Sequence, residues 1–316
     1  MAITSFEMVA SKEQAYMKTN KAIVFGGSGF VGSYFVKKLL SLGYSVEVYD
    51  LKKPNFFHKK LTYINGDILN IKRVDKSIKK NCIVFNFAGW ANLESANQNP
   101  KEVIRQNVLG NSIILNVSAR KKVKKFIYAS TLYVFSKYGG VYRESKQRCE
   151  FDIKKIHKKL GLDYTILRFG SLYGPGAKAG NAIYDLLTMA IKKHSITYWG
   201  KGDEVRQYIH ARDAAKICDK IFLNKYKNKC ILLTGLEDLR MKDLLGMINE
   251  MFDKKIRIKF KYNKKSISHY KNTPFSISKK SNYIPDLGEK IIFEDYTDIA
   301  QGIYECALHL KKNIRK

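Results

Sequence analysis

Three side chains that could move a proton together lie close to one another in the middle of the chain. They are the hydroxyl of Thr131, the phenol of Tyr142 and the ammonium of Lys146. A phenol with a pKa of about 10 is a poor base at neutral pH, but a fixed positive charge beside it makes the phenolate accessible. Tyr142 and Lys146 are four residues apart, which places both on one face of a helix. This spacing also occurs by chance, so the surrounding elements must decide whether the set is catalytic.

A glycine-rich turn near the start of the chain predicts a nucleotide cofactor. An apolar strand over residues 22–25 is followed by Gly27-x-Gly29-x-x-Gly32, a helix that ends near residue 43 and a second strand over residues 45–49. Glycine at these points allows a tight turn, close approach of the backbone to a pyrophosphate and close helix packing, while the helix N-terminus attracts phosphates. We expect the cofactor to contact Gly26, Gly29, Phe30 and Val31.

Asp50 closes the second strand and bears on which cofactor is bound. A carboxylate there can accept both hydroxyls of the adenosine ribose and would repel a 2′-phosphate, which favours NAD over NADP. Lys52 and Lys53 follow at once, and a cation there could hold that phosphate. The sequence favours NAD.

The following elements continue the alternation of strands and helices as far as residue 170. Strands are predicted over 61–64, 83–87, 125–129 and 164–167, and helices over 71–80, 101–120 and onward from Tyr142. Apolar strands separated by helices predict an α/β fold, a Rossmann-type doubly wound parallel sheet. Residues 1–20 are expected to form a loose leader or a short helix, and residues 21–170 the nucleotide-binding domain.

From Ser171 onward the pattern changes to a smaller mixed α+β substrate lobe, residues 171–316, which could be interleaved with the first domain. Helices are predicted over 183–193, 211–223, 241–252 and 295–311, and strands over 196–199, 205–210, 230–233 and 256–262. Such a lobe would pack over the carboxyl ends of the strands, where folds of this kind bind ligands.

Two short motifs end neighbouring strands on the same edge of the predicted sheet. They are Gly66-Asp67-Ile68 and Asn86-Phe87-Ala88-Gly89. Asp and Gly are also turn formers, so plain turn chemistry is the alternative. Because both motifs lie on the cofactor edge, we expect Asp67, Ile68, Phe87, Ala88 and Gly89 to contact the adenine and the nicotinamide ribose.

Composition excludes several classes of protein. No apolar run is long enough to span a membrane, and residues 1–20 lack the apolar core of a signal peptide, so a cytoplasmic protein is expected. The five cysteines are far apart, without Cys-x-x-Cys or nearby His, which predicts reduced packing residues and no metal site.

The formal charge of +30 is unusual for an enzyme of 316 residues. It is carried mostly by lysine doublets spread along the chain, such as Lys79-Lys80 and Lys192-Lys193, which favours a compositional origin. A real polyanion-binding role is the alternative; nucleic acid is not the expected partner.

Taken in order, the motifs resemble the extended short-chain dehydrogenase/reductase family, in particular its NAD-dependent nucleotide-sugar epimerases and dehydratases, over about residues 21–310. The resemblance rests on the glycine loop, Asp50, Asp67, the segment 86–91, Asn107, the segment 129–134, Tyr142-Arg-Glu-Ser-Lys146, the segment 167–175 and the segment 206–213.

The resemblance implies a role for each matching residue. Tyr142 would be the catalytic base, Lys146 would lower its pKa and hold the nicotinamide ribose, and Thr131 would bind the sugar hydroxyl being oxidised. Asn107 would belong to the cofactor site. Arg206 would pair with the sugar diphosphate, the alternative being a surface ion pair with Asp203 or Glu204. Ser171 and Asn181 would touch substrate, whereas His210 and Asp213 would be structural, Asp213 as the cap of a helix.

Three departures from the family pattern affect the expected reaction. Thr131 and Tyr142 are only 11 residues apart, where many relatives have a longer loop, and Ser171 stands where much of the family has Asn. Leu132-Tyr133 occupy the positions where 4,6-dehydratases carry Asp-Glu, so dehydration is disfavoured. The resemblance implies oxidation at C4 of a nucleotide-diphosphate sugar, by a 4-dehydrogenase or a 4-epimerase.

Closer likeness points towards enzymes of bacterial surface-polysaccharide and capsule biosynthesis, including GDP-hexose or GDP-heptose 4-dehydrogenases. The rival hypothesis is a dehydrogenase fold with lapsed chemistry that binds RNA. The helices around 103–117 and 142–160 carry apolar residues beyond one stripe, and in relatives these helices pair across a two-fold axis. A homodimer is therefore expected.

Overall fold

A computed structural model describes residues 21–261, 269–277 and 283–314 of the chain. The expected leader and the end of the strand predicted over 256–262 lie outside these residues. The helices are α1 (Phe30–Ser41), α2 (Ile71–Ser77), α3 (Leu93–Gln98), α4 (Pro100–Val103), a π-helical segment (Ile104–Gly110), α5 (Asn111–Arg120), α6 (Gly140–Leu160), α7 (Ala182–Lys193), α8 (Ala211–Ala215), α9 (Met241–Met251) and α10 (Ile299–Ile314). Short 3₁₀ turns span Leu132–Phe135, Lys216–Asp219 and Asn224–Tyr226.

The described strands form one large sheet and three small pairs. The large sheet contains β1 (Lys21–Phe25), β2 (Ser45–Asp50), β3 (Leu61–Asn65), β4 (Ile83–Asn86), β5 (Lys125–Thr131), β6 (Tyr164–Phe169), β11 (Lys229–Leu233) and β14 (Glu289–Lys290). The small pairs contain β7 (Ser171–Tyr173) with β10 (Tyr208–His210), β8 (Ser195–Trp199) with β13 (Arg257–Lys261), and β9 (Val205–Arg206) with β12 (Leu239–Arg240).

All neighbours in the large sheet are parallel, in the order β3-β2-β1-β4-β5-β6-β11-β14. The first six strands follow the Rossmann order, in which the chain reverses direction across the sheet between β1 and β4. The predicted α/β class and the parallel doubly wound sheet are confirmed. The C-terminal half contributes β11 and β14 to this sheet.

The inner strands of the sheet are buried on both faces, as their continuous apolar sequences require. One face packs on α1 through Phe35 and Leu39, and the other on α2, α5 and α6 through residues such as Ile114 and Ile153. A third cluster joins α7, α9 and α10 around Leu187. The carboxyl ends of the strands are thereby held rigidly at one edge.

The helix predicted over 211–223 and the residue predicted to cap it both need correction. The helix expected over 211–223 stops at Ala215 and continues only as a 3₁₀ turn. Its cap is His210, whose Nδ1 accepts from the N–H of Arg212 at 3.1 Å. Asp213 is not a cap, because its carboxylate instead accepts from the N–H of Thr297 and pairs with Lys216.

The described residues contain no helix long and apolar enough to cross a membrane. Within the same ranges no group of His, Cys, Asp and Glu could hold a metal ion. The five cysteines are all buried and free, as predicted.

Candidate active site and cofactor cradle

The glycine loop ends β1 and opens α1, and its geometry requires glycine. Gly26 has a φ of +75°, and a Cβ there would lie 2.6 Å from the backbone nitrogen of Ala88. A Cβ on Gly32 would lie 2.2 Å from the carbonyl oxygen of Gly26. Gly29 is the N-cap of α1, and no side chain caps this helix. The first turn of α1, which includes Phe30 and Val31, therefore keeps backbone N–H groups available for an anion.

Asp50 lies at the end of β2, next to this loop. Its Oδ2 accepts from the N–H of Ser28 at 3.0 Å, and its Oδ1 accepts from the N–H of Lys52 at 3.1 Å. The Ser28 hydroxyl donates to the Lys52 carbonyl at 2.5 Å. These bonds fix the carboxylate beside the glycine turn and leave each oxygen with lone-pair capacity for a diol.

The ends of β3 and β4 lie on the same edge as Asp50. The exposed carboxylate of Asp67 accepts from the N–H of Leu69 at 2.9 Å, and Ile68 packs against Gly110. The loop Phe87-Ala88-Gly89 follows β4, and Ala88 touches the glycine turn at Gly26. The structure therefore gathers the predicted cofactor residues around the β1/β4 switch point.

Asn107 clamps this edge from inside the π-helical segment. Its Oδ1 accepts from the N–H of Trp90 at 2.6 Å, and its Nδ2 donates to the Trp90 carbonyl at 3.1 Å and to Ser145 Oγ at 3.0 Å. A Cβ on Gly89 would lie 2.5 Å from Asn107 Oδ1. Because its polar atoms are used in protein contacts, Asn107 holds the 86–90 loop against α6.

Thr131, Tyr142 and Lys146 come together between the end of β5 and the first turns of α6. The Thr131 hydroxyl accepts from the N–H of Tyr133 at 3.2 Å and lies close enough to the Tyr142 phenol to lower its pKa. Lys146 Nζ donates to the carbonyl of Ala129 at 2.8 Å and lies 5.9 Å from the centre of the Tyr142 ring. The spacing of 11 residues is spanned by a 3₁₀ turn and by Gly139 and Gly140, both at positive φ.

Burial dominates the protonation of this set. It raises the pKa of Tyr142 to about 12, against the opposing effect of the Thr131 hydrogen bond. Burial also lowers the pKa of Lys146 to about 8. The ammonium is directed at the Ala129 carbonyl, so its depression of the phenol pKa is weaker than the sequence alone suggests.

The predicted substrate residues lie on strands and caps of the C-terminal half. Ser171 begins β7, which pairs with β10, and Asn181 caps α7 and donates from Nδ2 to the Leu172 carbonyl at 2.7 Å. Arg206 makes neither surface ion pair considered as its alternative role. Its guanidinium stacks on the Tyr270 ring at 4.0 Å and donates to the Tyr270 carbonyl at 2.7 Å.

Sequence reasoning missed the residues that enclose this region. Tyr133 was noted only for not being an acid, yet its hydroxyl bonds His269, which no motif singled out. Glu150 and Arg168, which form a fully buried ion pair behind Thr131, were also missed. Glu150 follows Lys146 by four residues, a spacing that could have identified it.

Comparison with known proteins defines the family. The sequence profile of the NAD dependent epimerase/dehydratase family matches residues 22–231. A UDP-N-acetyl-alpha-D-glucosaminuronate decarboxylase from Bacillus cytotoxicus is 25% identical over 258 residues, covering 73% of this chain and 80% of the relative. A dTDP-glucose 4,6-dehydratase from Streptomyces antibioticus is 23% identical over 259 residues, covering 73% and 76%.

A solved structure shares the fold. The UDP-glucuronic acid 4-epimerase from Bacillus cereus, in complex with UDP-glucuronic acid and NAD, superposes with a TM-score of 0.77 at 20% identity, covering 93% of this chain and 99% of that chain. The chain belongs to the NAD dependent epimerase/dehydratase family. It is an NAD-dependent enzyme of the extended short-chain dehydrogenase/reductase type, as the sequence predicted.

The residues present fit NAD. The uncapped N-terminus of α1 and the glycines of its loop form a cradle for a pyrophosphate, and a side chain at Gly26 would clash with the backbone of Ala88, against which the loop packs. Asp50, anchored through Ser28 beside that loop, suits a ribose diol.

Replacing Asp50 should change the preference between dinucleotides. We expect Asp50→Ser to weaken NAD binding about tenfold, the loss of one charged hydrogen bond, and to strengthen NADP relative to NAD, because Lys52 and Lys53 remain. Titration calorimetry with both dinucleotides measures this. Asp67→Ser, on the same edge, is the control and should leave the NAD to NADP ratio unchanged. An equal change in that ratio in both variants would remove Asp50 from this role.

Proposed function

We propose that the enzyme oxidises C4 of a nucleoside-diphosphate hexose, releasing either the 4-keto sugar or the 4-epimer. The observation that carries the proposal is the convergence of Thr131, Tyr142 and Lys146 at the carboxyl edge of the sheet, beside the cradle that fits NAD. The relatives from Bacillus cytotoxicus and Streptomyces antibioticus are named as enzymes of nucleotide sugars, which supports this substrate class.

Each residue of the set has a distinct task. Thr131 lies beside Tyr142 and can bind the same sugar hydroxyl, which orients that hydroxyl towards the phenol oxygen. Tyr142, when ionised, takes the proton from the 4-hydroxyl. NAD, when bound, supplies the two-electron oxidant. Lys146 contributes a buried positive charge beside the phenol and a donor for a ribose hydroxyl. In an epimerisation, Tyr142 would return the proton to the C4 oxygen while the hydride held by the reduced cofactor would come back to the opposite face of C4.

The chemistry of the neighbouring positions disfavours dehydration. Expelling water from C5 and C6 requires an acid and a base at the sugar, and Leu132 and Tyr133 occupy the positions where dehydratases carry carboxyls. Burial raises the pKa of Tyr133 far above the ordinary value of a phenol, so it is a poor base. We therefore propose oxidation without loss of water.

The resemblance of the Tyr142-Arg-Glu-Ser-Lys146 segment to enzymes of surface-polysaccharide biosynthesis supports a capsule or related bacterial pathway. It also favours a GDP-linked hexose or heptose over other substrates. The two relatives are named for a UDP-sugar and a dTDP-sugar, so the activity test must include all three bases.

Product mass distinguishes the reactions. We expect the purified enzyme, incubated with UDP-, GDP- and dTDP-sugars in deuterated water, to give either a product two hydrogens lighter or an isomer of equal mass without carbon-bound deuterium. Tyr142→Phe should reduce turnover by about a hundredfold to ten-thousandfold, because it removes the proton acceptor. Tyr138→Phe, in the preceding loop, is the matched control.

A product lighter by one water would contradict the proposed reaction and restore the dehydratase hypothesis. Absence of bound dinucleotide and of turnover, together with RNA affinity that falls steeply with salt, would favour the polyanion-binding protein.

The protonation of the catalytic pair predicts the pH dependence of kcat/KM. Activity needs Tyr142 ionised and Lys146 charged, with pKa values of about 12 and about 8. Below about pH 8, Lys146 stays charged and the phenolate fraction rises tenfold per unit. Above it, loss of the Lys146 proton cancels that gain. We expect log kcat/KM to rise with unit slope and level off near pH 8.

The Lys146→Arg variant is the control for this profile. Arginine keeps its charge above pH 8, so the residual activity of the variant should continue to rise with pH. A wild-type profile that is flat below about pH 8, or a break at the same pH in the variant, would show that Lys146 does not set the limit.

We also propose that the enzyme is a homodimer formed through the π-helical segment and α6. Ile104 and Leu109 on the first, and Phe151 on the second, are exposed apolar side chains on two elements that pack side by side. Pairing across a two-fold axis would bury them in a four-helix interface.

Introducing charge into this surface should dissociate the dimer. We expect Leu109→Glu and Phe151→Glu to elute as monomers, because each would bury an unpaired carboxylate. Size-exclusion chromatography with light scattering measures the mass. Leu236→Glu, an exposed apolar position elsewhere, should not change it. A wild-type monomer, or equal behaviour of all three variants, would exclude this interface.

A further inference from the structure

The segment 269–277, here the covering segment, lies across the loop that joins Thr131 to α6. The N–H of Ser276 donates to the Phe135 carbonyl at 3.0 Å, and the Phe135 and Phe275 rings lie 4.7 Å apart. The N–H of Lys137 donates to Ser276 Oγ at 3.3 Å. Backbone and side-chain contacts thus fix this segment of the C-terminal half directly beside the catalytic loop.

Tyr133 connects the catalytic set to the covering segment. Its backbone N–H donates to Thr131 Oγ1 at 3.2 Å, and the Thr131 side chain lies beside the Tyr142 phenol, whose pKa it lowers. Its hydroxyl hydrogen-bonds Nδ1 of His269, and its ring lies 5.4 Å from that of Tyr270. Tyr133 is therefore fixed at its backbone by Thr131 and at its hydroxyl by His269.

The sugar wall, as it is called here, is the row of side chains formed by Tyr133, His269 and Tyr270. Arg206 lies at its other end. Its guanidinium stacks on Tyr270 and donates to the Tyr270 carbonyl at 2.7 Å. The interval between Tyr142, the proposed proton acceptor, and Arg206, the residue expected to bind the diphosphate, is therefore spanned by this wall. A sugar joined to a diphosphate has to occupy that interval if its reacting hydroxyl is to reach Tyr142.

Protonation decides what this wall can offer a ligand. Burial and the nearby Arg206 lower the pKa of His269 to about 4, so the imidazole is neutral at pH 7. Burial keeps Tyr133 protonated by raising its pKa. When neutral His269 carries its proton on Nε2, its Nδ1 accepts the hydroxyl proton of Tyr133, and the phenol oxygen then has only lone pairs left for a further partner.

We propose that Tyr133, held by His269, accepts a hydrogen bond from a sugar hydroxyl next to the one being oxidised, on C3 or C6, and so determines which sugars the enzyme accepts. Thr131 contacts both Tyr133 and Tyr142, which places this acceptor next to the reacting position. The inference rests on the proposed oxidation of a nucleotide sugar and adds a residue that selects the sugar.

The test compares sugar binding with nucleotide binding in the full-length holoenzyme. Dissociation constants are measured by calorimetry for UDP-glucose and GDP-mannose, for their 3-deoxy and 6-deoxy forms, and for UDP and GDP. We expect Tyr133→Phe to weaken the better-bound parent sugar nucleotide about tenfold, one hydrogen bond of moderate strength. UDP and GDP affinities should not change. The deoxy form that lacks the hydroxyl bound by Tyr133 should bind wild type and variant with equal affinity.

His269 provides the matched pair of variants. His269→Asn keeps an acceptor for the Tyr133 proton and should retain wild-type affinity within a fewfold, whereas His269→Phe should behave like Tyr133→Phe. Where the sugar is turned over, these losses should appear in KM more than in kcat. Thermal melting and bound dinucleotide confirm that each variant is folded, and Tyr138→Phe controls for loss of a phenol oxygen in the same loop.

The outcomes separate this inference from the function on which it rests. The role of Tyr133 would be overturned by unchanged sugar affinity in Tyr133→Phe. It would also be overturned if wild type and variant lost the same affinity on going to each of the two deoxy forms. Either outcome would leave C4 oxidation intact. The role of Tyr133 and the proposed C4 oxidation would both be overturned by two results together in the wild-type protein. Neither sugar nucleotide would bind more tightly than UDP or GDP alone, and no sugar would be oxidised.

Discussion

The buried ion pair between Glu150 and Arg168 is the interaction on which the geometry of the site depends. Both side chains are fully buried, and two hydrogen bonds of 2.9 and 2.7 Å join them. Ser130 and Tyr283 donate to the carboxylate, and Arg168 donates to the Asp286 carbonyl. Burying two charges costs several kcal/mol each, and removing one partner would leave the other uncompensated, at about 3–5 kcal/mol. The pair is stable only with every hydrogen bond formed.

That requirement fixes the catalytic set in place. Ser130 precedes Thr131 on β5, and Glu150 follows Lys146 by one turn of α6. Because Ser130 donates a hydrogen bond to Glu150, β5 cannot slide against α6 without leaving a buried charge unsatisfied. The Asn107 clamp acts on the opposite side of α6, through Ser145. Thr131, Tyr142 and Lys146 are thus positioned by polar contacts on two sides, and the cofactor loop at Gly89 shares the second of them.

Local patterns in the sequence predicted what local physics determines. The glycine spacing, the terminal Asp50 and the four-residue step from Tyr142 to Lys146 follow from the period of strands and helices, and the parallel sheet follows from their alternation. The prediction of a helix over 211–223 was wrong because the cap and the end of this helix depend on tertiary contacts of His210 and Asp213. The contact of Tyr133 with His269 joins residues 136 positions apart, and no periodic signal reports such a contact. The direction of the Lys146 ammonium was equally invisible, since it depends on a carbonyl of the neighbouring strand.

The short loop between Thr131 and Tyr142 explains why the proposed catalytic residues and the proposed sugar-selecting residues come from different parts of the chain. A 3₁₀ turn and two glycines at positive φ complete the connection, leaving no residues to fold over the sugar. The covering segment, more than 120 residues later in the sequence, packs on Phe135 and takes that place. The proton-transfer groups are held by the sheet and α6, whereas the proposed sugar wall includes His269 and Tyr270 from the C-terminal half. Substitutions in the covering segment can therefore alter the sugar accepted while the geometry of Thr131, Tyr142 and Lys146 remains as it is.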